Sequence, residues 1–146
     1  MNVLAGTAAA AFAASWFLPV LNEVPGWMAF RYALAPLIPY GAASPGSEDS
    51  VPQLLSALTN IVFIIMVALW FTKQHMRPGT FVRISLACFL LNLYWPVTAI
   101  REGHVRDLLA GYYVWEAAFA LLLCVAVVIA VASRRTSTTP TGGKPS

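Results

Sequence analysis

A carboxylate in the middle of an apolar run is the residue of this chain best placed to do chemistry. Glu116 is the only charge among the 25 residues from Leu108 to Ala132. At about 1.5 Å per residue, such a run crosses a hydrocarbon layer roughly 30 Å thick. An ionisable group held there marks a proton or cation site, or a hydrogen bond that fixes helix register. Tyr112 lies one turn earlier on the same helical face. Two amides, Asn60 and Asn92, occupy comparable places in the preceding apolar runs. Asn60 is seven residues in from Gln53, Asn92 eight in from Ile100 and Glu116 eight in from Leu108. The helical rise puts all three roughly 10 to 12 Å below one boundary. Pro96 has no amide hydrogen, so the carbonyl of Asn92 loses its helical partner and a kink is expected at the same depth. These residues predict a small outer-facing polar cavity built from Glu116, Asn92, Asn60 and Tyr112, with Arg101, His104 and Arg106 at its mouth. The simpler alternative is a buried hydrogen-bond cluster in which Glu116 is protonated or paired with Asn92 or Tyr112.

Other chemistry has little to stand on. The histidines, His75 and His104, lie singly in different loops, so no metal or haem ligand set is expected. No serine or cysteine is placed with a base in a nucleophile motif, and glycine-rich phosphate loops are missing. Cys88 and Cys124 sit within apolar runs and read as small packing residues. Tyr94, Trp95, Tyr112, Tyr113 and Trp115 near one boundary, with Trp70 near the other, read as interfacial anchors. His104, beside Glu102, Arg106 and Asp107, reads as part of a solvated turn. No enzyme activity and no cofactor are expected.

Positioning the polar layer requires a membrane bundle. Hydrophobic residues make up 59% of the 146 and charged residues 10%. The mean hydropathy of +0.71 could not be carried by a water-soluble domain of this size without large exposed apolar patches. The fold class expected is an all-α integral membrane protein, a four-transmembrane-helix bundle over 1–133 with spans near 3–21, 53–71, 81–100 and 108–132. The first, alanine-rich run reads as a retained span rather than a cleaved signal peptide, since no Lys or Arg precedes it. Gly6, Ala10 and Ala14 recur in it every four residues and offer a face for close helix approach, as does Ala126-x-x-x-Ala130 in the last span. Within the outer loop 22–52, Trp27, Phe30, Arg31, Leu34 and Ile38 approach helical spacing over a stretch too short to span, which predicts a short interfacial helix. Ser50-Val51-Pro52-Gln53 has the form of a capping box preceded by Glu48 and Asp49. Pro78-Gly79 reads as a turn, Thr80 as the cap of the third span and Asp107 as the cap of the fourth. The Thr/Pro/Gly-rich 134–146 is expected to be a disordered cytoplasmic tail.

Basic residues set the orientation. With both termini cytoplasmic, the inner side holds Lys73, Arg77, Arg83, Arg134, Arg135 and Lys144, and the outer side only Arg31, Arg101 and Arg106. The net charge of +3 follows from this bias, so no nucleic-acid partner is expected.

In outline, four spans in a short chain with one intramembrane glutamate, the chain resembles the small multidrug-resistance transporters. The resemblance covers architecture alone: that family's essential glutamate lies in the first span, Glu116 in the fourth, and the long proline-rich first loop departs as well. It carries over no residue roles. Two functions remain open. One is a non-catalytic accessory, assembly or protective subunit of a bacterial inner membrane that binds another membrane component. The other is a homo-oligomeric transporter or channel using Glu116. Only one ionisable group lies in the layer, whereas coupled transport generally needs a path of them, and this favours the first.

Overall fold

In the computed structural model, described for residues 2–21, 23–35, 37–38, 50–72 and 76–137, the chain is mostly helical. It runs α1 (Asn2–Ser15), a two-stranded antiparallel hairpin β1 (Pro19–Leu21) and β2 (Val24–Pro25), α2 (Gly26–Ala33), α3 (Ser50–Phe71), α4 (Pro78–Asn92), α5 (Tyr94–Glu102), a single 3-10 turn (Val105–Asp107) and α6 (Ala110–Ser137). Three stretches, Val51–Phe71, Pro78–Glu102 and Ala110–Arg135, are long and apolar enough to cross a membrane. Their outward faces carry Ile64, Ile65, Leu90 and Val131, each about half exposed, which is the signature of a membrane protein.

The first helix is shorter than the apolar run that encodes it. It ends at Ser15, where the Trp16 and Phe17 amides bond the Ala13 and Ala14 carbonyls in a tightened last turn. Pro19 then biases Leu18 away from helical geometry, and residues 19–21 become a strand. The hairpin, with Glu23 at a positive φ of 65°, is a structure the periodicity did not predict. Bonds from the Gly26 amide to the Leu18 carbonyl and from the Trp27 amide to the Trp16 carbonyl continue the pairing of its two arms, and the Leu109 amide bonds the Val20 carbonyl.

This last bond resets the start of α6. Leu108 is extended and the helix begins at Ala110, so Asp107 sits in the 3-10 turn instead of capping it. At the other end the helix runs on through Arg134 and Arg135 to Ser137, four residues into the stretch expected to be disordered. No glycine or proline interrupts it before Pro140, and two cations suit a helix C-terminus. The remainder of the tail lies outside the described residues. So do Asn22, Glu48, Asp49, Lys73, His75 and the Ser50 side chain, and with them the expected capping box.

Pro78 opens α4 at its first position with Arg77 as N-cap, so Pro-Gly is a helix start and Thr80 lies inside the first turn. The expected kink divides the third apolar stretch at Leu93, between α4 and α5. Gly103, at a φ of 76°, ends α5 in the left-handed conformation. The short helix expected from Trp27 to Ile38 exists as α2, which ends at Ala33 before reaching Leu34 and Ile38 and has no fully buried residue.

α6 packs mainly against α1 and α4. The face α1 buries is Ala5, Ala8, Phe12 and Ser15 rather than Gly6, Ala10 and Ala14; Ala10 and Ala14 are exposed. Phe12 decides this, because it stacks on Phe63 of α3 at 4.3 Å and meets Phe119 of α6 edge-on at 6.3 Å. Ala118 and Ala126 provide the small surface on α6, while Ala130 is half-buried.

Candidate functional site

The polar layer forms around Asn92, the last residue of α4, whose side chain is fully buried. Its Oδ1 accepts from the Ser56 hydroxyl at 3.2 Å and lies 3.1 Å from the Thr59 hydroxyl, which also donates to the Ser56 carbonyl at 2.6 Å. The Asn92 carbonyl, deprived of a helical donor by Pro96, accepts from the Tyr112 hydroxyl at 2.9 Å. Asn60 donates to the Ser56 carbonyl at 3.3 Å and accepts from the Trp115 indole N–H at 2.6 Å. The structure thus brings Asn60, Asn92 and Tyr112 into one network joining α3, α4 and α6.

Glu116 stands apart from it. Both carboxyl oxygens are buried without a hydrogen-bond partner among the described residues, as are Asn92 Nδ2 and the Ser85 hydroxyl. Pairing of Glu116 with Asn92 or Tyr112 is therefore not what the fold uses. Asn92 offers its backbone carbonyl to Tyr112 and its side-chain oxygen to the α3 hydroxyls, and the Tyr112 proton is already donated.

Ser56, Thr59 and Trp115 are members of the network that sequence reasoning missed. The first two, with Asn60, follow an i, i+3, i+4 pattern on an otherwise apolar helix, a usable signal. Tyr112 and Trp115 bond inward, and Trp115 meets Tyr112, Phe119 and Asn60 rather than standing as a boundary anchor. Tyr94 and Tyr113 are exposed, as an anchor would be.

A cavity of about 350 Å³ opens beside the layer, between the hairpin, α2, α3 and α6. Asn60, Ser56 and Tyr112 reach its wall; Glu116 and Asn92 do not line it. Most of the remaining wall is aromatic or aliphatic, with Trp16, Phe30, Tyr32, Trp95 and Trp115 the large side chains. The expected mouth residues lie elsewhere. Arg101 is exposed in the last turn of α5, and His104 and Arg106 are exposed on the connection to α6, where the His104 Nδ1 sits 3.3 Å from the Asp107 carboxylate. Of this region only Trp95 and Leu108 reach the cavity wall, and the hairpin lies beside the start of α6 through the Leu109–Val20 bond.

Two glycines make the enclosure possible. A Cβ on Gly111 would stand 2.5 Å from the Pro19 carbonyl oxygen, and one on Gly26 would collide with the Ser15 carbonyl. Only residues without a side chain let the starts of α6 and α2 close on the end of α1 this tightly. Among the described residues no group of His, Cys, Asp or Glu is arranged to hold a metal, and Cys88 and Cys124 are both free, the first buried and the second exposed. No protein-family model matches the chain, and neither a curated protein nor a solved structure matches it.

Proposed function

We propose that this chain is a non-catalytic, multi-pass protein of a bacterial inner membrane that binds another membrane component at the hairpin end of its bundle. The observation that carries this reading is the cavity, a formed enclosure of a size suited to small ligands, whose described lining includes no carboxylate, imidazole or cationic side chain. Binding without acid–base chemistry or ion coupling is what such a lining supports.

The crossing count proposed is four. The helix of α1 gives only about 21 Å at 1.5 Å per residue. It packs along α6, and the hairpin beyond it makes up the depth. Non-helical backbone is tolerated there because its polar groups bond one another and Leu109. Both termini then lie on the cytoplasmic side with the larger group of basic residues, and the hairpin, α2 and the cavity lie on the outer side. In this placement α2 is an interfacial helix. Cysteine scanning in a background lacking Cys88 and Cys124 tests the arrangement: His104→Cys is expected to react with an impermeant maleimide in intact spheroplasts, and Ser137→Cys only after permeabilisation.

The second reading, a transporter or channel acting through Glu116, draws on the buried carboxyl without a partner. Infrared difference spectroscopy of wild type against Glu116→Gln in nanodiscs separates the two. A carboxyl band indifferent to added Na⁺ or K⁺, together with normal folding of the variant, is expected for the binding protein. A cation-sensitive band would transfer the assignment to transport.

A further inference from the structure

Four residues of α3, Gln53, Ser56, Ala57 and Asn60, line the cavity, so one continuous face of that helix forms its floor. The two amides on this face, Gln53 and Asn60, are seven residues apart, a rise of about 10.5 Å. Asn60 lies beside the buried layer and Gln53 is half-buried toward the start of the helix. Asn60 Nδ2 uses one proton on the Ser56 carbonyl and has a second to give. The wall also carries the rings of Trp16, Phe30, Tyr32, Trp95, Tyr112 and Trp115, with no charge among them. A charged ligand would be desolvated there without a counter-ion, which is costly. A plain acyl chain would leave both amides unmatched.

From this arrangement we infer that the cavity binds a neutral, lipid-soluble six-membered ring carrying oxygen acceptors on opposite edges, as in a 1,4-quinone, with one oxygen on Asn60 and the other on Gln53. The ring lies between indole faces, which favour flat π systems in offset or edge contact. The span fits. Two C=O bonds of about 1.2 Å across a six-membered ring separate the oxygens by roughly 5 Å. A hydrogen bond of about 2.9 Å at each end brings the total to roughly 11 Å, matching the rise between the amides. The inference concerns binding alone.

The inference rests on the proposed binding role, and its test separates the two. Purified protein in phosphatidylglycerol nanodiscs is titrated with a short-tailed 1,4-benzoquinone, with thermal stability and Trp emission as readouts, and palmitate as the competing probe. Saturable stabilisation is expected for wild type, with palmitate unable to displace the ring. Asn60→Leu and Gln53→Leu should each weaken binding by about five- to tenfold, the cost of one hydrogen bond. Gln53→Leu keeps the test decisive if Asn60→Leu fails to fold, because Gln53 lies at the rim, outside the layer. Equal affinity in wild type and Gln53→Leu overturns the inference. Binding of palmitate but not of the quinone also overturns it while leaving the binding role intact. No saturable binding of either probe overturns both.

Discussion

The two ends of this bundle are held by different physics. At the hairpin end, backbone and side chains are joined by directed bonds: Leu109 to Val20, Gly26 to Leu18, Tyr112 to Asn92, Trp115 to Asn60. Toward the opposite end, Phe12, Phe63, Met66, Phe119, Leu122 and Val125 meet by shape alone. In lipid, apolar side chains gain little by leaving their surroundings, so packing there depends on fit. A polar end fixes which helices meet and in what register, and an apolar end adds contact area once they have met. The cavity occurs at the polar end, where directed bonds hold walls apart that close packing would have collapsed.

Substitutions can break this comparison. The largest loss is expected from Phe63→Ala, which removes the ring that joins Phe12 to Phe119: about 3 kcal/mol, read by reversible unfolding in mixed micelles. Gly111→Val should follow, at about 1–3 kcal/mol, because its side chain meets the Pro19 carbonyl, while Gly6→Ala, with open space around it, should be neutral or slightly stabilising. If the two glycine changes behave alike, the tight closure at the hairpin end is not what holds it. Asn92→Leu leaves the Ser56 hydroxyl without its acceptor while Thr59 keeps the Ser56 carbonyl, and a loss of about 1–2 kcal/mol is expected, with Tyr112 still bonded to the main chain. A cost larger than that of Phe63→Ala would make the polar end the main source of stability. Cys124→Ser should change stability by less than about 0.5 kcal/mol.

What could be read from the chain beforehand followed from composition and from proline chemistry. The long apolar helices are visible in uninterrupted hydropathy, and the fate of the Asn92 carbonyl is visible in Pro96, because a missing amide hydrogen is a local fact. Helix ends were less legible. Ser15, Pro78, Ala110 and Ser137 each differ from expectation, and two of these are set by contacts distant in sequence, such as Val20 with Leu109. The face buried by α1 was misjudged because small-residue spacing suggested one face and the single aromatic pairing of Phe12 with Phe63 chose another. For the site, residue depth was informative and residue direction was not. Glu116 was expected in the cavity because it shares a layer with Asn60, but one position along the helix, Trp115, faces Asn60 instead.

The pairing of the hairpin with the start of α6 also has a meaning in time. The helix α1, too short to span a hydrocarbon layer alone, finds its main partner in α6, which is made much later in translation. Until residues beyond Leu109 have entered the bilayer, Val20 has no donor and Ala5 and Ala8 have no surface to meet. Helix α1 must therefore wait for α6. A chain halted before α6 is expected to leave α1 without its main packing surface and open to quality-control proteases, so synthesis of α6 licenses the fold.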